Sequence, residues 1–311
     1  MEVKIALAIG HRAEESSQVL SYLEKMMECG SIRREWCLVI EEDGRMTGRI
    51  AFWTLPKVGK PLAMVLLELP WDRDDVFTVG KAVMESALPI LKANGAETIE
   101  YMVDSPPVAP QFQRHMEIRL NILEQMGFSL TRETNRFEWK ADHHPLLTAP
   151  CSLTFRSLPE AGDDAFEQAI MKVSAQTLDQ RIQDERLRLG AEQHAVQLFT
   201  ELKSMEYDPH WWQLAYDPNE QLVGFVMPAK APAFSTIAYI GVVPKQRGLG
   251  YIDQLLRQGT STLLAAGESL IRADTDIHNT PMAEAFIRCG YVPFSARKEY
   301  VCQIPQTANH S

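Results

Sequence analysis

The sequence predicts two tandem α/β (α+β) domains, each a mixed, mainly antiparallel sheet flanked by helices. Three observations carry this expectation. The chain has 311 residues, past the size at which a single core usually keeps growing. One series of apolar runs and turn signals occurs twice, in the same order. Within each series the order is strand, one or two helices, hairpin, strand, helix, strand, helix, strand. That order leaves one βαβ crossover in an otherwise antiparallel arrangement.

The first element, Val3 to Ile9, is a short apolar run cut off by His11, Arg12, Glu14 and Glu15, too short for a signal peptide, and reads as a strand. A helical stretch from Glu14 to Cys29 follows. The repeat then becomes legible: Trp36 to Gly48 has the same shape as Trp212 to Gly224. In each, an apolar strand meets a polar turn, Asp43-Gly44 or Asp217-Pro218-Asn219, and returns as a second strand. Ala63 to Leu69 before Pro70 matches Ile237 to Val243 before Pro244, each a strand stopped by proline.

Helices come next in both copies. Val79, Val83, Ala87, Ile90 and Leu91 recur near helical period in the first, and Ile252, Leu255, Leu256, Leu263 and Leu264 in the second. Gly95 and Gly267 end these helices and open strands that run to Asp104 and Asp274. A last helix closes on Gly127-Phe128 in one copy and Gly290-Tyr291 in the other, with Phe137 and Tyr300 each ten residues past the glycine. The polar, proline-punctuated stretch 143–150 reads as a linker between a domain at 1–142 and a domain at 151–311, with the boundary near Thr148. Residues 163–203 carry two or more helices, more than the first copy has at the matching place.

Composition narrows the function. An apolar fraction of 45% and a charged fraction of 23% are those of an ordinary globular protein. A net charge of -10 is the wrong sign for a duplex or an anionic bilayer, so neither nucleic acid nor a membrane is expected as a partner. The five cysteines, Cys29, Cys37, Cys151, Cys289 and Cys302, form no CxxC pair, which points away from a zinc site and towards a reducing compartment. No window offers about 20 uninterrupted apolar residues, and the chain reads as cytoplasmic. Nothing in the sequence speaks to oligomeric state.

The strongest chemical signal is the strand Ile237 to Val243, then Pro244, then Arg247-Gly248-Leu249-Gly250 leading into an amphipathic helix. Glycines let the backbone turn so that N–H groups converge, and the first turn of the helix adds further N–H groups and a partial positive charge. A pyrophosphate suits such a cradle. The spacing excludes a P-loop, which needs Lys-Ser or Lys-Thr, and a dinucleotide fingerprint, which needs a third glycine.

At this point the sequence resembles the GNAT acyltransferase superfamily, whose signature is a Val-x-Pro strand end followed by Arg or Gln-x-x-Gly-x-Gly or Ala. Arg247, Gly248, Leu249, Gly250, Tyr251 and Ile252 occupy it, and Asn279, Met282, Ala283, Phe286, Gly290 and Tyr291 stand at the spacing of the family's Asn-x-x-Ala-x-x-x-Tyr-x-x-x-Gly-Phe pattern. The clear resemblance runs from about Trp211 to Tyr300, and tandem copies are known in the superfamily. It implies acetyl-CoA as co-substrate and the amine of a small molecule as acceptor, joined by direct attack on the thioester. It further implies that the strand at Gly241, Val242 and Val243 holds the pantetheine arm, with a main-chain N–H near Val243 polarising the thioester carbonyl. Arg247 to Ile252 would hold the pyrophosphate, and Asn279 and Phe286 would line the cofactor near its sulfur.

Three residues depart from the pattern. Ile252 stands where the family usually has Gly or Ala, Asp253 adds an acid to the helix's first turn, and Phe286 replaces a frequent tyrosine acid with a ring that cannot donate a proton. The base candidates are Asp274, Asp276 and His278 at the end of the strand that would face the thioester; Asp276 and His278 are equally suited to cap the next helix. Tyr291 and Tyr300 read as core, as does Trp212. His143-His144 lacks a partner at ligand spacing, so no metal is expected. The first copy reads Trp71-Asp72-Arg73-Asp74-Asp75 after Pro70, three carboxylates and no glycine, with Leu123 matching Phe286. It is expected to be a degenerate copy without the phosphate loop. The alternative to an enzyme is a non-catalytic acyl-CoA-binding sensor or adaptor.

Overall fold

The structure is a computed structural model that describes residues 12–142, 151–231 and 234–305. The predicted strand at Val3 to Ile9, the linker 143–150 and His143-His144 therefore lie outside the described residues. The chain forms two compact units: residues 1–132 with 297–311, and residues 133–296. Both are the mixed, mainly antiparallel α/β arrangement expected from the element order.

In the first unit a helix, α1 (Ala13–Glu28), leads into the hairpin β1 (Ile32–Glu42) and β2 (Arg45–Trp53). Asp43 and Gly44 both take positive φ, 49° and 75°, which gives the tight turn its hand. Next come β3 (Ala63–Glu68), α2 (Val76–Ala93), β4 (Thr98–Ser105) and α3 (Met116–Gln125). The strands run in the order β1-β2-β3-β4-β11, where β11 is the strand Val292–Gln303, antiparallel through β3 and parallel between β3 and β4. Alternation along β2 sends Ile50 and Phe52 to the side of α2 and α3, and Ala51 and Trp53 to the side of α1. Trp36 is fully buried in the first of these cores.

The second unit begins inside β5 (Ser129–Lys140), of which residues 133–140 belong to it. A short strand β6 (Thr154–Ser157) and helical turn α4 (Leu158–Ala161) precede three helices, α5 (Asp163–Val173), α6 (Gln180–Leu189) and α7 (Ala191–Lys203). These are the extra helices expected between 163 and 203. After them come β7 (Gln213–Tyr216), β8 (Leu222–Lys230), β9 (Ser235–Val242), a 3₁₀ turn at Pro244–Gln246, α8 (Tyr251–Ala265), β10 (Leu270–Asp276) and α9 (Thr280–Arg288). The order is β5-β10-β9-β8-β7-β6, with β9 and β10 the parallel pair. One core lies on the side of α8 and α9, and the other, built on Phe166, Phe199 and Trp212, on the side of α5 and α7.

The units do not follow the chain order in which the repeat is written. The last strand of the first copy supplies residues 134–140 to the second unit, antiparallel to 270–276 of β10, while β11 (Val292–Gln303), the last strand of the second copy, gives residues 297–303 to the first unit. Side chains follow: Phe137 and Trp139 are buried in the second unit's core, Tyr300 and Cys302 in the first unit's. The repeat explains two further glycines. A Cβ on Gly48 would meet the carbonyl oxygen of Glu68 at 2.7 Å, and one on Gly224 that of Gly241 at 2.0 Å, so both hairpins let the next strand's backbone come close.

Candidate active site

Strands β9 and β10 of the second unit are paired only at their beginnings, Ser235 with Ile271 and Thr236 with Arg272, and diverge beyond. β9 stays paired with β8 throughout, with a bulge at Ala238 that puts Ala238 and Tyr239 on the same face. Past the bulge, Val243 N–H donates to Val223 O at 2.8 Å, which marks a hydrogen-bonded pair. Alternation then turns the N–H and C=O of Gly241 towards β8 and those of Ile240 and Val242 towards the edge that β10 leaves. The main-chain N–H expected at Val243 is thus engaged with Val223, and the outward-facing amides are Ile240 and Val242. Gly241 serves packing: a Cβ there would meet Val173 of α5 at 2.3 Å.

Beyond Pro244 the chain forms the expected cradle. Gly248 and Gly250 take φ of 78° and 77°, conformations that L side chains rarely adopt, and a Cβ on either would meet nothing within 4 Å. Among the described residues, no protein acceptor is found for the N–H groups of Gly248, Leu249, Gly250, Tyr251 and Ile252; the first bond of the turn is Asp253 N–H to Gly250 O at 3.3 Å. Five main-chain donors at the positive end of α8, with open space beside both glycines, fit a pyrophosphate. Ile252 and Tyr251 lean on the core beneath, so the branched side chain of Ile252 points away from the donors. Asp253 is turned aside too: its carboxylate accepts from Arg288 Nε and Nη2 at 2.9 and 2.8 Å.

Arg247 is a clamp. Its Nε donates to Val242 O at 3.0 Å, Nη1 to Gln176 O at 2.8 Å, and Nη2 to Val173 O and Ala175 O at 2.9 and 3.0 Å. Burial lowers its pKa, opposed by Tyr239. With its guanidinium so engaged, the side chain fixes the loop after α5 to the end of β9. The other end of that loop is fixed to β10, because Asp276 Oδ2 accepts from Gln180 N–H at 3.1 Å. Residues 174–179 therefore strap across from the end of β9 to the end of β10.

Of the three base candidates, Asp274 pairs with Arg136 at 3.2 Å. Asp276 is buried and bonds the N–H groups of Gln180 and His278, so it satisfies the first N–H of α6, whose own cap is Asp179, and closes a turn instead of capping α9. Asn279 is the cap of α9, its Oδ1 accepting from Met282 N–H at 3.4 Å. His278 is exposed, and no hydrogen bond of its ring is found among the described residues. Phe286 is 1% exposed, stacked on Phe137 with ring centroids 4.9 Å apart and packed on Tyr291 at 5.2 Å. It belongs to the core under α9. Tyr291 is core as well, its hydroxyl 2.7 Å from Thr260 Oγ1.

Sequence reasoning passed over Tyr239. It lies on the face of β9 towards the strap, edge-on to Phe225 at 5.0 Å, and burial, then Asp179, raises its pKa, against Arg186 and Arg247. Its phenol therefore stays protonated. The signal was strand alternation counted across a bulge, which sequence alone does not reveal.

Residues 178–291, a stretch within the second unit, match the family model described as the acetyltransferase (GNAT) family. No curated protein matches the chain. Among solved structures it is similar to a GCN5-related N-acetyltransferase from Sphaerobacter thermophilus, at 17% identity, covering 94% of this chain and 87% of that one with a TM-score of 0.58. A functionally unknown conserved protein from Staphylococcus epidermidis ATCC 12228 matches at 14% identity, 86% and 94% coverage and a TM-score of 0.51. A tandem GNAT protein from the clavulanic acid biosynthesis pathway aligns at 16% identity over 98% and 94% of the chains, with a TM-score of 0.49. At such identities the two likenesses with TM-scores above 0.5 establish the fold alone, and the family match supports acyl transfer in general.

Proposed function

We propose that the second unit is an acyl-CoA-dependent N-acyltransferase that takes acetyl-CoA and transfers its acetyl group to the amine of a small molecule by direct attack. The observation that carries this reading is the pair of outward-facing amides of Ile240 and Val242 at the end of one strand, followed six residues on by the five N–H groups of Gly248 to Ile252 for which no protein acceptor is found among the described residues. An amide-bearing arm that ends in a pyrophosphate is the ligand such a row fits. When bound, acetyl-CoA supplies the activated thioester.

The protein's own residues do the rest. The amides of Ile240 and Val242 orient the arm, the cradle anchors its charged end, and the strap 174–179 borders the side from which the amine arrives. His278 takes the amine's proton, since Asp274 and Asp276 are committed to other partners. Tyr239, kept protonated by burial, donates to the departing thiolate in place of the phenol that Phe286 lacks. The first unit is the degenerate copy. The chain acts in the cytoplasm, without nucleic acid or membrane as partner.

Calorimetric titration with acetyl-CoA beside a thiol-release assay over a panel of small amines tests the proposal. The expected result is saturable binding and turnover on at least one amine, with Tyr239→Phe lowering kcat more than it changes KM. No binding of acetyl-CoA removes the reading. Binding without turnover on any amine supports the second reading, an acyl-CoA sensor, which the burial of Phe286 favours.

A further inference from the structure

The first unit has the same strand divergence as the second. β3 and β4 are paired only at Ala63 with Glu100 and Met64 with Tyr101, and β3 carries its own irregularity, a positive φ of 54° at Leu66. Main-chain groups past that point would face an open edge, as Ile240 and Val242 do. Here they are met by side chains from the segment 111–119. Leu66 N–H donates to Gln111 Oε1 at 3.1 Å, and Asp104 N–H to Gln113 Oε1 at 3.0 Å. Gln113 Nε2 donates to Met102 O at 2.6 Å, so one carboxamide satisfies both a donor and an acceptor of β4. Arg119, fully buried, reaches β3 with Nη1 to Leu67 O at 2.8 Å and touches Tyr101 Oη at 2.7 Å. Its guanidinium lies 4.3 Å from the centroid of the Trp71 ring, and Trp71 Nε1 donates to Glu68 at 2.5 Å.

From these bonds we infer that the first unit carries a built-in plug: Gln111, Gln113 and Arg119 make between β3 and β4 the hydrogen bonds that the amides of an acyl-CoA arm would make. A pantetheine arm offers two amide groups, each a donor and an acceptor, and Gln113 presents the same pair to Asp104 and Met102. Buried main-chain groups must find partners, and in this unit the chain provides them. The groove is therefore self-occupied, and acyl-CoA binds at one site per chain. The stoichiometry rests on the proposed function of the second unit; the plug itself does not.

Hydrogen exchange on the full-length chain, resolved to single amides and run with and without coenzyme A, tests it. The amides of Leu66 and Asp104 should be protected in the protein alone and unaffected by coenzyme A. Gln111→Ala should speed Leu66 and Gln113→Ala should speed Asp104, each by about tenfold. Gln111→Glu, which keeps an acceptor oxygen, should preserve the protection of Leu66. In the second unit, Ile240 and Val242 should exchange fast until coenzyme A is added. Unprotected Leu66 and Asp104 in the unsubstituted protein, or no change in the alanine variants, overturns the plug, as does binding of two coenzyme A molecules per chain. If an alanine variant does not fold, the unsubstituted protein and Gln111→Glu still decide. Absence of any coenzyme A binding would remove the proposed function and leave the exchange result at Leu66 and Asp104 to stand or fall alone.

Discussion

The two units reach the same point by the same route and then part. In each, a hairpin packed through a close glycine delivers a strand that pairs briefly with its parallel neighbour and then diverges. In the second unit the divergent edge at Ile240 and Val242 continues into a glycine cradle with five uncommitted N–H groups. In the first, the edge is filled by Gln111, Gln113 and Arg119, and the cradle is replaced by Asp72 to Asp75, where Arg73 is tied to Asp75 and Glu42. On a shared fold, the two units thus differ in what satisfies a few main-chain groups.

The largest expected effect concerns where one unit ends. Because residues 134–140 form a full ladder with β10 and bury Phe137 and Trp139, cutting the chain at the repeat boundary removes a strand from the second unit. Loss of either aromatic side chain alone costs about 3–5 kcal/mol, against a total stability of about 5–15 kcal/mol for a domain. A fragment of residues 148–311 should therefore lack a cooperative melting transition, while a fragment of residues 133–296 should melt cooperatively and bind coenzyme A. Circular dichroism melts followed by titration check this. A folded 148–311 fragment would show that the ladder is dispensable.

Next is the cradle. Gly250→Asp should weaken coenzyme A binding on the order of 30-fold, since a carboxylate near 4 Å from a phosphate charge costs about 4 kcal/mol at a surface-like dielectric and about half that after side-chain relaxation. The fold should survive, because aspartate tolerates the left-handed conformation better than most residues. The converse change in the first unit, Asp74→Gly with Asp75→Gly, should add no second site, because the plug remains. Titration stoichiometry separates the two ideas: a second site in that variant would mean that the acids alone, and not Gln111 and Gln113, close the first unit.

The pair of arginines at matching places after the prolines offers a finer contrast. Arg247 holds four main-chain carbonyls, and Arg247→Ala should destabilise the second unit by about 2–4 kcal/mol and weaken coenzyme A binding about tenfold by releasing the strap. Arg73 makes exposed ion pairs, and Arg73→Ala should leave the melting temperature nearly unchanged. Thermal melts of both variants check the contrast, and equal shifts would refute the clamp.

These contrasts also show what the sequence makes legible. The repeat, the element order and the cradle could be read directly, because glycine, proline and apolar period report backbone geometry locally. The strap, the plug and the exchange of last strands could not. Gln111 and Gln113 sit in a proline-rich stretch without periodicity, and a glutamine looks the same whether it faces water or a strand edge. Arg247 was legible as part of a motif but not as a clamp, since its partners at 173–176 lie some seventy residues away. Phe286 stands at the position of a frequent tyrosine, yet its burial against Phe137 depends on a strand from the other copy. Asp253 reads in the sequence as an acid beside the cradle, and only the fold brings Arg288, one helix later, to hold it.

The smallest expected effect lies in the helices that only the second unit has. His194 of α7 is buried, and burial lowers its pKa; Glu185 opposes that shift, Arg186 adds to it and Glu201 opposes it. A histidine whose folded pKa lies below its unfolded value of about 6.5 favours the folded state above that value, and the advantage fades as pH falls through 6.5 towards the folded pKa, because only the unfolded chain takes up the proton. Stability of the second unit should therefore decline between pH 7 and pH 5 with a contribution from His194, and His194→Gln should flatten that slope while leaving the first unit's exchange pattern unchanged. Hydrogen exchange of α6 and α7 at the two pH values, corrected for the intrinsic rate, reads the effect directly. The same slope in His194→Gln would place the acid sensitivity elsewhere, and equal loosening of α1 in the first unit would show that it does not belong to the added helices at all.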